Sequence, residues 1–399
     1  MKILIVSEVF YPENFIINDF ARELCSQGHT IEVLTQYPSY PQSYVYDGYK
    51  NEGYSVEEWD GIKIHRYPFV EGYKESLKKK ITNYYTFVKE GRKIAKDIAK
   101  GFDVIFVSQT GPLTVALPAI AAGKKYGIPV AIWTLDIWPD AVYSYGVPKN
   151  TTTRYLIDRL IRYIYKNCDA VFVSSRRFKD TIKKYTNKAC IYTPNWLKPA
   201  DDKVSDIRFD KQKINFTFTG NISRYQNLDN TILGFAKAKI ADAVLNIIGD
   251  GSYITQLKEL VAQKNIKNVL FHGRRPYEEM NDILSQSDIL VLPLMPDEGI
   301  MKTEPLKLQS YLYAGKPIFG ILGGSGQEII EENNLGVCAS PDEIDEIALG
   351  FYRCKDFATK HSSIVRDSAK RLMETRFNKD VIIKTFTDTL HRMVQDRVE

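Results

Sequence analysis

Short β-branched runs alternate with longer amphipathic stretches along this chain, and the alternation occurs twice. In the first half "KILIVSEVF" is followed by a helical pattern through "FIINDFARELCSQG" and then by "TIEVLTQY". Further on come "VIFVSQ", a helix near 113–126, "PVAIWTLD", a helix near 154–167 and "AVFVSS". Strand, helix and strand in this order make parallel βαβ units, whose right-handed crossovers build a doubly wound sheet. After "TPNWLKPADDKVSD", which is rich in turn formers, the pattern restarts. It runs through "INFTFTG", a helix at 228–239, "AVLNIIGDG", a helix at 253–264, "VLFHG", a helix near 277–286, "DILVLPL", "TEPLKLQSYLYAGKP" and "PIFGILGG". A chain of 399 residues exceeds what one core usually supports. The expected fold is therefore α/β with two doubly wound, Rossmann-like domains, 1–196 and 197–375, and a C-terminal helix in 376–399 that can return to the first. Two such domains facing each other put the carboxyl ends of both sheets, where ligands bind, on either side of one cleft.

Three loops of the second half suit a phosphorylated ligand. "TGNIS" supplies Gly220 and Asn221, "GDGS" supplies Gly249, Asp250 and Gly251, and "TEPLKL" opens a helix. Glycine lets backbone N–H groups approach an anion, and a helix N-terminus adds partial positive charge. Thr303 is read as the cap of that helix, Pro305 as its first turn, and Lys307 as a full charge one turn in. The plainer alternatives are a simple Gly-Asp-Gly turn and a solvated lysine. No GxGxxG follows the first strand, where "VFYPENF" stands, so hydride transfer is disfavoured. In the first half "WTLDIWPDAV" places Asp136 and Asp140 past a strand end between Trp133 and Trp138. Rings beside carboxylates suit a sugar; alternatively Asp140 caps a helix and the tryptophans fill core.

The net charge of +5 conceals an uneven distribution, because residues 1–200 hold 28 Lys and Arg against 20 Asp and Glu. Much of the excess lies in 73–100, where Leu77, Ile81, Tyr84, Val88, Ile94, Ala95 and Ile98 recur at roughly helical spacing among lysines. One or two amphipathic helices are expected, with either a solvated basic face or a face that docks on an anionic membrane. No nucleic-acid-binding motif accompanies the charge. Five scattered cysteines without a CxxC pair are read as reduced. No apolar run is long enough to span a bilayer and no signal-peptide cleavage pattern opens the chain, which is expected to be cytoplasmic. No acidic pair sits at a strand end of the second half, so no metal and no other cofactor is expected.

Taken in order, "MKILIVSEVFYPE", "ELCSQGHTIEVLTQYPSYPQ", "WTLDIWPDAV", "TPNW", "FTGNI…NLD", "IIGDG", "GRRPYEEM…SDILVLPL" and "PLKLQSYLYAGKPI" resemble the GT4 family of retaining glycosyltransferases of GT-B fold. Within it they resemble the branch of colanic acid fucosyltransferase and the N-acetylfucosamine transferases of O-antigen and capsule. The resemblance implies transfer of a sugar from a nucleotide diphosphate, UDP by preference, to a polyprenyl-diphosphate-linked or other saccharide at the inner face of the bacterial membrane. It assigns Lys307 to the family's Pro-x-Lys element, which neutralises the departing diphosphate. Asp136, past its strand end, is read as the cleft carboxylate nearest the reacting sugar, either stabilising positive charge or orienting an acceptor hydroxyl. The sequence also departs from the family. The second Glu of the family's Glu-x7-Glu pair is Ser310 and its partner is Lys302, with Glu304 nearby as a donor contact. The Arg and Lys after the first strand of the donor domain are Asn221 and Gln226, leaving Arg224, Arg274 and Lys307 for the diphosphate. The paired glycines after "YPE" are Asn14 and Phe15, the expected acceptor loop, with Trp138 and Asp140 as further acceptor contacts. A non-hydrolysing nucleotide-sugar epimerase and a nucleotide-sugar-binding subunit without catalysis stand as alternatives.

Overall fold

The computed structural model describes residues 1–144, 147–198 and 203–397. It divides into two compact units, one of Met1–Thr193 with Asp380–Glu399 and the other of Pro194–Lys379. Unit 1 contains β1 (Lys2–Ser7), α1 (Ile16–Ser26), β2 (Thr30–Gln36), β3 (Ser55–Trp59), β4 (Ile62–Tyr67), α2 (Leu77–Ile98), β5 (Val104–Gln109) and α3 (Ala116–Tyr126). It continues with β6 (Val130–Thr134), α4 (Asp140–Ser144), α5 (Thr151–Lys166), β7 (Ala170–Val173), α6 (Phe178–Ile182) and β8 (Cys190–Tyr192). Its eight strands run in the order β3-β4-β2-β1-β5-β6-β7-β8, and all but the β3–β4 pair are parallel. The central strands β1, β5 and β6 are almost wholly buried because helices cover both faces, which is why they read as continuous apolar runs rather than alternating ones.

Unit 2 contains β9 (Ile214–Thr219), α7 (Leu228–Ala238), β10 (Ala243–Ile248), α8 (Ile254–Gln263), β11 (Val269–Gly273), α9 (Met280–Ser285) and β12 (Ile289–Pro293). Then follow α10 (Glu298–Lys302), α11 (Leu306–Ala314), β13 (Ile318–Ile321), α12 (Ser325–Glu332), β14 (Gly336–Ala339) and α13 (Ile344–Glu374). Its six parallel strands run β11-β10-β9-β12-β13-β14. The strand order therefore reverses between β1 and β5 in unit 1 and between β9 and β12 in unit 2. In doubly wound sheets such reversal points open the ligand crevice.

The last helix, α14 (Lys379–Gln395), packs on unit 1. Its Phe386 is fully buried, with ring centroids 4.9 Å from Phe20 of α1, 5.7 Å from Phe106 of β5, 5.0 Å from Trp133 of β6 and 4.6 Å from Phe172 of β7. Cutting this ring back leaves a cavity among four aromatic neighbours. Phe386→Ala is expected to destabilise unit 1 by about 3–5 kcal/mol, measured by denaturant unfolding.

The basic segment forms a single helix, α2, whose inner side takes Ala95 and the half-buried Val88, Ile94 and Ile98 of the apolar spacing but not its first turns. Asn83, Phe87, Gly91 and Ala95 face inward, whereas Leu77 and Ile81 are exposed. Gly91 lets the helix approach closely, since a Cβ there would stand 2.8 Å from the Tyr67 hydroxyl and 3.0 Å from Pro118. Asn83 fits inside because its side-chain oxygen accepts from the Val70 N–H at 3.0 Å. Among the described residues no helix is long and apolar enough to cross a membrane, and the five cysteines are unpaired.

Candidate functional site

At the reversal point of unit 2, three loops close on one another. Gly220 follows β9, and its N–H donates to the Ile248 carbonyl at the end of β10. Gly249 has φ +146°, and a Cβ there would overlap the Gly220 carbonyl oxygen. Gly249 must therefore be a glycine for the two loops to touch, whereas a Cβ on Gly220 would meet Lys307 instead. Around this junction Gly220, Asn221, Arg224 and Asp250 are exposed, Gly251 donates its N–H to Asp250 at 2.8 Å, and Arg274 is exposed just past β11.

Lys307, in the first turn of α11, reaches into the same place. Its Cε lies 2.9 Å from where a Gly220 Cβ would be, and its Nζ is 3.7 Å from the Phe218 ring centroid. The ammonium donates to Gln226 Oε1 at 2.9 Å. Burial alone lowers its pKa from 10.5 to about 7. Gln226, a neutral acceptor, satisfies Lys307 where a lysine would repel it.

Tyr311, which sequence reasoning missed, fastens α11 across the reversal point. Its buried hydroxyl accepts from the Thr219 N–H at 3.2 Å and donates to the Val291 carbonyl at 3.1 Å, joining the end of β9 to the middle of β12. A tyrosine one turn past Lys307 was the available signal. Ser310 is half-buried on α11, a turn along from Lys307.

Two sequence expectations here are corrected. Thr303 does not cap α11, because it closes α10 instead and its hydroxyl donates to the Ile300 carbonyl at 2.7 Å. Pro305 occupies the N-cap position itself, with no side-chain cap. Glu304 is committed to an ion pair with Arg376 at 2.8 Å, the two side chains 5% and 11% exposed. Lys302 pairs with Glu298 at 3.2 Å.

In unit 1, Asp136 lies two residues past β6 and its carboxylate accepts the Gly111 N–H; burial raises its pKa. Asp140 begins α4 in its first turn. Asn14 is exposed, and Phe15 precedes α1 with its ring edge-on to Tyr40 at 5.1 Å. The tryptophans do not offer a platform for sugar. Trp133 is fully buried against Phe386, with its indole N–H on the Thr193 carbonyl. Trp138, 5% exposed, belongs to the apolar core and donates to the Gly111 carbonyl at 3.3 Å, so no ring face is open for a pyranose. Among the described residues no group of three or more His, Cys, Asp or Glu is placed to hold a metal ion.

Two family models match in tandem and together span most of the chain: "Glycosyltransferase Family 4" over residues 15–196 and "Glycosyl transferases group 1" over 200–356. This chain is a family 4 glycosyltransferase. That membership sets the epimerase reading aside. Among its relatives, WcaI of Escherichia coli K12, named as a glycosyl transferase of colanic acid biosynthesis, is 23% identical over 98% of this chain and 100% of its own. WbjE of Pseudomonas aeruginosa, named a probable glycosyltransferase, is 27% identical over 63% of this chain and 65% of its own. Among solved structures, sucrose-phosphate synthase of Thermosynechococcus elongatus superposes with a TM-score of 0.68 at 15% identity over 99% of both chains. Anabaena HepE, solved with UDP and glucose, gives 0.66 at 14% identity over 98% of this chain and 100% of its own. These structural likenesses show the fold alone, and that fold is GT-B, with two parallel-sheet α/β units.

Proposed function

We propose that this glycosyltransferase moves a hexosyl or N-acetylhexosaminyl group, with retention and without a metal, from a UDP-sugar to a lipid-linked saccharide in bacterial surface polysaccharide assembly. The observation that carries the donor half is Lys307, a half-buried lysine aimed at the glycine junction of unit 2 with a neutral amide as its hydrogen-bond partner. An arriving diphosphate supplies the missing counter-charge. Arg224 and Arg274, both exposed in loops that follow strands of the same unit, add to the positive charge that receives it. Lys307 then stabilises the charge that grows on the leaving diphosphate, the role a divalent cation fills elsewhere. The leaving phosphate takes the proton of the acceptor hydroxyl as the new bond forms on the same face, and Asp136 orients that hydroxyl. The relative named for colanic acid biosynthesis and the neighbour solved with UDP favour this choice of pathway and nucleotide.

Thermal shift with UDP, GDP and their sugars identifies the donor, because a ligand of the native state raises Tm. UDP release with prenyl-diphosphate-linked N-acetylglucosamine, with and without EDTA, then tests transfer. Stabilisation by GDP alone would overturn the nucleotide, and activity lost to EDTA and restored by manganese would overturn the metal-free mechanism.

The exposed stripe of α2 supports peripheral membrane docking. Leu77, Ile81 and Tyr85 succeed one another at four-residue spacing, with Ile81 54% and Tyr85 65% exposed, and Lys78, Lys79 and Lys89 beside them are exposed too. Each lysine near an anionic surface contributes about 1 kcal/mol. Vesicles containing phosphatidylglycerol are expected to bind the protein in a salt-sensitive way and pure phosphatidylcholine much less. Ile81→Glu with Tyr85→Glu is expected to weaken binding by about tenfold or more. Equal binding by the double variant would remove α2 from this role.

A further inference from the structure

The residue immediately past β1 is Glu8, at the reversal point of unit 1, where β1 and β5 stand side by side. No motif singles it out. A Cβ on Gly111, two residues past β5, would stand 3.2 Å from Glu8 Oε2. The same Gly111 donates its N–H to Asp136, and its carbonyl accepts from Gln109 at 2.7 Å and Trp138 at 3.3 Å. With φ +99°, Gly111 has a backbone that side chains rarely adopt, so a bare glycine separates the two carboxyl groups. Glu8 follows β1 and Asp136 follows β6, one on each side of the loop that ends β5. Carboxyl groups flanking a glycine at a sheet's ligand crevice suit a hydroxyl-rich ligand, whose OH groups both donate and accept.

We propose that Glu8 is a binding residue for the acceptor saccharide, holding one of its hydroxyls across Gly111 from Asp136; this rests on the glycosyl-transfer reading given above. Glu8 acts as a carboxylic acid. Burial first, then Glu13, pushes its pKa up to about 8; Asp136 adds to the rise, while Lys80 and Lys74 oppose it. The groups facing it are thus Glu13 beyond β1, Lys74 before α2, Lys80 in its first turn and Asp136 past β6, together with the phenols of Tyr67 and Tyr73. Glu13 is occupied in clasping the loops, since it accepts the N–H groups of Ser39 at 2.8 Å, Tyr40 at 2.6 Å and Phe10 at 3.2 Å. Asp136 accepts the Gly111 N–H, which favours its ionised form, while burial outweighs that bond and raises its pKa. At pH 7 Glu8 itself offers a donor. Above pH 8 it becomes a carboxylate and the donor is lost.

The test measures binding without donor, by calorimetry from pH 6.5 to 9.5. The probes are methyl glycosides of a hexose, a 6-deoxyhexose and an N-acetylhexosamine, and prenyl-diphosphate-linked N-acetylglucosamine. The wild type is expected to bind at least one of them, with affinity falling about tenfold between pH 7 and 9. Glu8→Gln is expected to bind like the wild type at pH 7 and to keep that affinity at pH 9, because an amide donates without titrating. Glu8→Ala is expected to bind about tenfold more weakly at pH 7. Cooperative thermal unfolding without ligand, with a wild-type near-ultraviolet circular dichroism spectrum, serves as the folding control for unit 1 and stays unchanged in both. A Gln variant as weak as the Ala variant would mean that Glu8 serves only to pair with Lys74 and Lys80. That result, a flat wild-type pH profile, or no binding of any probe overturns the proposal. A wild type that binds a glycoside yet transfers no sugar would refute the glycosyl-transfer reading and leave the assignment of Glu8 standing.

Discussion

Lys307→Met is expected to stabilise the empty protein while weakening UDP binding by about tenfold to a hundredfold. The two effects share one cause. Burial holds the Lys307 ammonium at a pKa of about 7, well below the 10.5 of a free lysine. Between pH 7 and about 10 the unfolded chain therefore carries a proton that the folded chain lacks, and wild-type stability rises with pH across that window. Below pH 7 the cost of the buried lysine is complete, on the order of 2–4 kcal/mol once the loss of its bond to Gln226 is set against it. Methionine fills the space beside Phe218 without that cost, so its Tm advantage is greatest at and below pH 7 and shrinks toward pH 10. Binding shows the opposite preference. A diphosphate wants the ammonium, so above pH 7 each binding event takes up a proton. Wild-type UDP affinity is expected to fall toward tenfold per pH unit there, with proton uptake visible by calorimetry in buffers of different ionisation enthalpy. The Met variant should lose both the affinity and the pH dependence. Undiminished UDP binding by that variant would remove Lys307 from the donor site.

Gly249→Val is expected to abolish the native packing of unit 2. The Cβ would overlap the Gly220 carbonyl, which is backbone and cannot step aside without breaking the Gly220–Ile248 and Gly249–Gly273 hydrogen bonds that carry the strand ends into their loops. At φ +146° a β-branched residue adds backbone strain to the overlap. A loss above about 4 kcal/mol is expected, read as early, non-cooperative unfolding and the absence of UDP-induced stabilisation. Gly273→Ala, where a Cβ meets nothing within 4 Å, is the milder comparison. A Gly249→Val protein that unfolds like the wild type would show that the two loops do not touch.

The alternation of strand and helix was legible because the central parallel strands are buried on both faces, which makes runs such as "VIFVSQ" and "DILVLPL" mostly apolar. Lys307 was legible too, through the local grammar of Pro305, Lys307 and Gly315 around one short helix. Thr303 was misread because "DEGIMK" forms a helical turn of its own, started by Asp297, whose carboxylate accepts from the N–H groups of Gly299 and Ile300, and Thr303 closes that turn. The tryptophans of "WTLDIWPDAV" were misread for a longer-range reason. Their neighbours in sequence are carboxylates, but Trp133 is buried by Phe386, some 250 residues later in the chain.

Period and punctuation are local properties of a chain, so by itself the sequence determined two doubly wound sheets and the order of their central elements, while the peripheral strands β3, β4, β8 and β14 carry too weak a pattern to be read. Which side chains meet past those strand ends depends on strand order across the sheet and on what arrives from distant segments. Only the tertiary structure could decide that Gln226 partners Lys307, that Glu304 is taken by Arg376, and that Glu8 and Asp136 come together at Gly111. The physical reason is that burial and Coulomb interaction depend on distance in space, and the fold places residues 72 to 128 positions apart side by side.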